Sequence, residues 1–152
     1  MQLTRFSDYS LRTALYLMAH PDRLVPVEEV GRAYGISRNH LVKIVQRLVE
    51  LGIIESVRGR NGGMRLSPKP EEINVGNLVR LTERNFNLVE CFDAKSNTCP
   101  IIKVCGLKGA LHQAADAFLK VLDQYTLADF GSRAEQLIAA WEIQLRNSGK
   151  RK

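Results

Sequence analysis

Between Pro26 and Gly52 the chain is cut into two short helical segments by residues that leave little choice of fold. Val27 to Tyr34 reads as a short helix stopped by Gly35, and Ser37 then caps a longer one running to about Leu51 before Gly52. Two helices joined by a tight Gly-containing turn make a helix-turn-helix. At about 100° per residue, Leu41, Ile44, Val45 and Leu48 share one face of the second helix, with Asn39, Lys43, Gln46 and Glu50 opposite. The apolar face is expected to pack and the other to enter a DNA major groove.

What flanks this pair supports the same reading. Upstream, Ser7 is the expected cap of a first helix carrying Leu11, Ala14, Leu15 and Met18 at helical spacing until His20-Pro21 ends it. Downstream, Ile53 to Val57 and Met64 to Leu66 read as two short strands around Arg58-Gly59-Arg60-Asn61-Gly62-Gly63, whose Asn-Gly step is a strong hairpin signal. Standing directly after a helix-turn-helix, that hairpin reads as a wing, although by itself it could be a surface turn with incidental charge. A phosphate-binding loop of a nucleotide enzyme is excluded, because no Lys-Ser/Thr follows the glycines and no helix opens from them.

Charge is concentrated where this architecture needs it. The chain carries a formal +6, yet Arg38 to Lys69 alone holds seven basic residues against two acidic ones, an excess of +5. Residues 81–152 hold ten against eight, three of the ten being the terminal Lys150, Arg151 and Lys152. Asn39, His40 and Lys43 are the expected readers of base edges, with Ser37 and Arg38 reaching phosphates or bases. Arg58 and Arg60, with Asn61 at the same tip, are expected to probe the minor groove. Double-stranded operator DNA is the expected partner. With no apolar run near the roughly 18 residues of a membrane span and no signal-peptide core, a cytoplasmic protein without a membrane partner is expected.

The second half is organised differently. Asn74 to Leu81 reads as a fourth short helix, and Asn85 to Thr98 as a loop. Leu107, Leu111, Ala114, Phe118, Val121 and Tyr125 then follow a 4-3-4-3-4 spacing, the stripe of a seam between helices packed side by side. Such a stripe must be covered by its own domain or by a second copy. A homodimer is favoured, since readers of palindromic sites pair. Leu127, Phe130, Leu137, Ile138, Trp141 and Leu145 form a further amphipathic stretch able to wrap back onto the partner.

Three cysteines fall within 15 residues as Cys91-x7-Cys99-x5-Cys105. An odd, crowded set argues against a secreted disulfide framework, and neither gap matches the Cys-x2-4-Cys pairs of zinc sites. Thiolates on longer gaps suit a bulkier iron–sulfur cluster, which wants four ligands and so leaves one position open. Unrelated thiols, or a disulfide redox switch, are the alternatives. No paired carboxylates, activated nucleophile or phosphate loop stand at usable spacing, so an enzyme is not expected.

The N-terminal Met1-Gln2-Leu3-Thr4-Arg5-Phe6-Ser7-Asp8-Tyr9, the run Ser37-Arg38-Asn39-His40-Leu41-Val42-Lys43, the hairpin Val57 to Gly63 and the cysteines followed by Leu119 to Asp129 together resemble the NsrR family. These are nitric-oxide-sensing repressors in a winged-helix superfamily that also holds the iron–sulfur regulator IscR. The resemblance implies a dimeric repressor holding a [4Fe-4S] cluster on Cys91, Cys99 and Cys105, with Asp8 of the partner subunit as fourth ligand and nitrosylation releasing operator DNA. Asp8 also suits a first-turn carboxylate that complements the helix dipole. The IscR branch carries a histidine three residues after the third cysteine. This chain has Lys108 there, and His112 lies one turn too far along.

The expected fold is therefore mainly α with a small β-hairpin: a winged helix-turn-helix at 1–80, a cysteine-bearing cluster loop at 81–105, dimerisation helices at 106–146 and a basic disordered tail at 147–152. Rival functions are a thiol- or small-molecule-responsive repressor without a cluster, and a small iron–sulfur electron-transfer or carrier protein.

Overall fold

A computed structural model describes residues 2–149, with side chains as far as Arg146. Helix α1 spans Arg5–Met18, three residues earlier than the sequence suggests, because Thr4 and not Ser7 is its cap: the Thr4 hydroxyl oxygen accepts from the Ser7 amide at 3.2 Å. Ser7, the expected cap, is instead fully buried on the inner face of the helix. Ser10 and Thr13 are buried on the same helix, and their hydroxyls donate at 2.7 Å to the carbonyls of Phe6 and Tyr9. With Ala14 they give α1 a strip of small side chains that lets neighbouring elements approach closely.

Helix α2 (Val27–Tyr34) ends at Gly35, whose φ of 67° only glycine adopts freely, and α3 (Arg38–Glu50) follows. The four expected residues of α3, Leu41, Ile44, Val45 and Leu48, are its buried ones. Strand β1 (Ile54–Val57) pairs antiparallel with β2 (Gly63–Leu66), Ile54 opposite Leu66 and Val57 opposite Gly63. Val25 adds a one-residue third strand, exchanging two 2.9 Å backbone bonds with Met64, so the hairpin is anchored to the turn before α2. The Asn61-Gly62 step does not form a two-residue turn. The tip runs from Arg58 to Gly62, and its positive φ, 119°, is at Gly59.

Helix α4 (Val75–Thr82) starts at Asn74, whose side chain accepts from the Asn77 amide at 2.8 Å and donates to the Asp123 carbonyl at 2.8 Å. An irregular segment containing one short turn of 3-10 helix, Glu90–Phe92, leads to α5 (Leu107–Leu122). A 3-10 segment, Leu127–Arg133, runs directly into α6 (Ala134–Gly149). Arg80 of α4 grips Asp123 just beyond α5 with bonds of 2.5 and 2.7 Å.

One core holds Leu17, Leu41, Leu48, Ile54, Met64 and Leu78 together with Leu127 and Trp141. Only Ala115 of α5 is buried, whereas α6 docks on α1 and α2 of its own chain through Trp141, whose ring centroid lies 4.6 Å from Tyr16 and 5.6 Å from Tyr34. The stretch expected to wrap onto a partner thus finds its partners at home. Of the tail expected to be disordered, 147–149 continue α6, and Lys150, Arg151 and Lys152 lie outside the described residues.

Candidate DNA interface and cysteine segment

Helix α3 presents Asn39, His40, Lys43, Gln46 and Glu50, all exposed, on the face opposite its core residues. Ser37 enters it with extended backbone and makes no side-chain capping bond, and its first turn carries no acid, so the amino end keeps its positive potential for an anion. Arg38 is engaged: its guanidinium donates to Glu28 of α2 at 2.6 Å, and that bond holds the Glu28 carboxyl below its ordinary range. Arg47 and Arg65 are similarly paired, with Glu50 at 3.1 Å and Glu55 at 2.9 Å. Among the described residues Lys43, Arg58 and Arg60 form no ion pair, and these are the cations at the middle of the helix and the tip of the wing.

Wing and helix form one surface. Val45, Gln46, Val49, Glu50, Ser56 and Arg58 line a cleft of about 480 Å³ between them. Gln46 and Ser56 are additions to the candidate readers. Gln46 was legible from its spacing of three from Lys43 and seven from Asn39, whereas nothing local marks Ser56. Gly62 is required for a reason other than φ: a Cβ there would run into the Val57 carbonyl oxygen, with Arg58 C and Gly59 O at 3.0 Å. The Gly62 amide donates to the Gly59 carbonyl at 3.0 Å and closes the tip.

Asp8 is half-exposed in the first turn of α1 and accepts two bonds from Arg12, at 2.9 and 2.8 Å. The Arg12 guanidinium also lies 5.7 Å from the rings of Tyr9 and Tyr34. The start of α1 is tied to the end of α4, because Glu83 accepts from the Thr4 amide at 2.6 Å and from its hydroxyl at 3.0 Å. Glu83 is also where the irregular segment bearing the cysteines begins.

That segment is shaped by its own carboxylates and amides. Glu90 accepts from the Thr98 amide and hydroxyl, and Asp93 from the Lys95 amide and the Ser96 hydroxyl, both at 2.9 Å. These bonds hold both carboxyls below their ordinary range. Phe92 stacks flat on His112 of α5, centroids 3.7 Å apart and planes at 3°. Cys91, Cys99 and Cys105 are free thiols of intermediate burial. Their donor chemistry suits a soft iron–sulfur centre. Among the described residues no three His, Cys, Asp or Glu side chains gather closely enough to hold a metal ion. His112, set aside on spacing, is occupied by its stack.

A helix-turn-helix carrying an anchored wing, with unpaired cations along one edge, is the architecture of a DNA-binding transcriptional regulator. Residues 3–133 match the Rrf2 family, described as iron-dependent transcriptional regulators, and the chain belongs to that family. It is 50% identical over 145 residues to the HTH-type transcriptional regulator NsrR of Halalkalibacterium halodurans, covering 95% of this chain and 99% of that one. It is 49% identical over 139 residues to NsrR of Bacillus subtilis, covering 91% and 95% of the two chains. The solved structure of T. potens IscR shares the fold, with a TM-score of 0.71, 23% identity and 90% of each chain covered. Both NsrR relatives are named as transcriptional regulators. No helix among the described residues is long and apolar enough to cross a membrane.

Proposed function

We propose that the chain is a cytoplasmic, homodimeric repressor that binds operator DNA and responds to nitric oxide through a [4Fe-4S] cluster. The observation that carries this reading is three free, half-buried thiols on one irregular segment, between a helix that supports the DNA reader and a helix whose apolar stripe lies open. Leu107, Val121 and Tyr125 of that stripe are 64, 52 and 42% exposed, which suits coverage by a second copy. Identity near 50% to named NsrR regulators over almost the whole chain supports the nitric-oxide input.

Cys91, Cys99 and Cys105 would hold the cluster, with Asp8 of the partner subunit as fourth ligand. Bound there, it supplies iron that takes nitric oxide as a ligand. The protein's own part is mechanical. The Asp8 carboxylate can be satisfied by Arg12 on its own helix or by a site on the other chain, and the first turn of α1 follows that choice. Because α1 packs on α3, a shift of that turn moves the face that carries Asn39, His40 and Lys43. Ser37 and Arg38 engage phosphates or bases at the start of α3, and Arg58, Arg60 and Asn61 enter the minor groove.

The test is anaerobic isolation with iron and sulfide counted per chain, for the wild type and for Asp8→Ala, followed by operator binding before and after nitric oxide. Four irons per chain and a loss of operator affinity on nitric oxide are expected, and unchanged affinity sinks the reading. Three free thiols of intermediate burial also suit one alternative, a thiol-responsive repressor of the same fold. A colourless anaerobic protein whose operator binding follows thiol oxidation would establish it.

A further inference from the structure

The first turn of α1 sits beside the recognition helix, and the side chain it places there has no partner. Arg5 is exposed and forms no ion pair or hydrogen bond among the described residues. It shares a cleft of about 180 Å³ with His40 and Lys43 of α3, over a floor of Phe6, Tyr9 and Ile44. The cleft thus has an apolar base, with the Tyr9 and His40 rings 6.4 Å apart, and a rim whose charged groups are all basic. Two carboxylates at this end of α1 are engaged elsewhere: Asp8 is held by Arg12, and Glu83 by the amide and hydroxyl of Thr4.

We propose that this cleft is a binding site for the DNA backbone, with Arg5 gripping a phosphate of the strand that borders the major groove occupied by α3. The inference rests on the DNA-binding role of the winged helix and not on the cluster. His40 and Lys43 lie on the flank of α3 that faces α1, so a duplex seated on Asn39 and Lys43 brings its nearer groove wall against the cleft. There Arg5 and Lys43 neutralise a phosphate, and the apolar floor takes the adjoining deoxyribose. The contact carries no sequence information, as expected of backbone contacts, and it fixes the register in which α3 reads. It also places a DNA contact one helical turn from Asp8, so that one turn of one helix feels both the duplex and the partner chain.

The discriminating measurement is the salt dependence of binding by the full-length protein. The probes are a random-sequence duplex and a duplex enriched by the protein itself from a random library. One lost phosphate contact flattens the slope of log Kobs against log salt by about 0.9 per chain and weakens binding roughly eightfold at about 0.1 M salt. Arg5→Gln is expected to do both on both duplexes, and Arg5→Lys to keep most of the slope. Since Arg5 is exposed at the helix start, unchanged far-ultraviolet dichroism is expected for both variants. An unaltered slope with Arg5→Gln overturns the proposal, as does a loss confined to the enriched duplex, which would make Arg5 a base reader. Wild-type protein that bound neither duplex would overturn the DNA-binding role along with it.

Discussion

Trp141→Ala tests whether α6 belongs to the core of its own chain. The indole is 6% exposed, and its centroid lies 4.6 Å from Tyr16, 5.6 Å from Tyr34 and 6.1 Å from His20. A buried tryptophan removes about 150–250 Å² from water, which at roughly 25 cal/mol per Å² sets a ceiling of about 4–6 kcal/mol. Truncations of large core aromatics measure about 3–5 kcal/mol. The rings of Tyr16, Tyr34 and His20 can settle partway into the space left, so the lower figure, about 3 kcal/mol, is expected. That is a large part of the roughly 5–15 kcal/mol that holds a domain folded. Urea melts followed by far-ultraviolet dichroism read the loss directly. Trp141 is the chain's one tryptophan, so wild-type fluorescence reports its docking without a label. The emission should stay blue-shifted at every protein concentration. A destabilisation below about 0.5 kcal/mol, too small for a core aromatic, refutes the reasoning. So does emission that shifts to the red on dilution, since the indole would then be covered by a second chain.

Three further outcomes follow from the geometry. Burial pushes the Tyr34 phenol up to about 12, so the folded chain keeps a proton that the unfolded chain releases near 10. Stability from this site is whole below pH 10 and is lost as pH rises towards 12; urea midpoints across an alkaline series should fall in that window, and less steeply in Tyr34→Phe. Gly62→Ala forces the wing tip open against the Val57 carbonyl and should weaken binding to random duplex DNA while leaving the melt of the whole domain nearly unchanged; wild-type affinity would show that the tip geometry is irrelevant. Glu28→Gln releases Arg38 and should tighten DNA binding and steepen its salt slope by about 0.9 per chain, whereas an unchanged slope would mean that Arg38 reaches no phosphate.

The parts legible in the sequence are those where one residue type had no substitute. Gly35 and Gly52 adopt φ of 67° and 70°, and they mark the ends of α2 and α3 in the sequence for the reason that they end them in space. The face of α3 was legible because a helix buries its residues periodically. At the cap of α1 the sequence pointed to Ser7, but Ser7 is buried on the inner face of the helix and Thr4 caps it three residues earlier. At the wing, Asn61-Gly62 advertises a tight turn, yet Gly62 serves close approach to Val57 and Gly59 takes the positive φ. The apolar spacing of α6 says that one face must be covered without saying by what, and Tyr16 and Tyr34 supply the answer from more than 100 positions away. The ion pairs that engage Arg38, Arg47 and Arg65 are also invisible to a charge count, and they leave fewer side chains of that +5 segment without a carboxylate beside them.

Under the proposed function, α1 is the element through which the cysteine segment and the DNA reader influence each other. It packs on α3, α4 and β2, and its buried Ser7, Ser10, Thr13 and Ala14 leave little room for it to bend. A close-packed helix of this kind moves as a body. Asp8 and Arg5 are three residues apart, about 4.5 Å along the axis, so a displacement that changes what Asp8 touches is delivered almost whole to Arg5 and to the cleft it shares with His40 and Lys43. A regulator that passes from 99% bound to 99% released must change its preference by about 5.5 kcal/mol. One phosphate contact per chain cannot supply that. Two copies, each losing the α1 contact and the alignment of α3 with its half-site, multiply the effect, and the open stripe of α5 would couple the two losses. The homodimer is on this reasoning part of the switch, and a monomeric variant of α5 should bind DNA weakly and with no response to the signal.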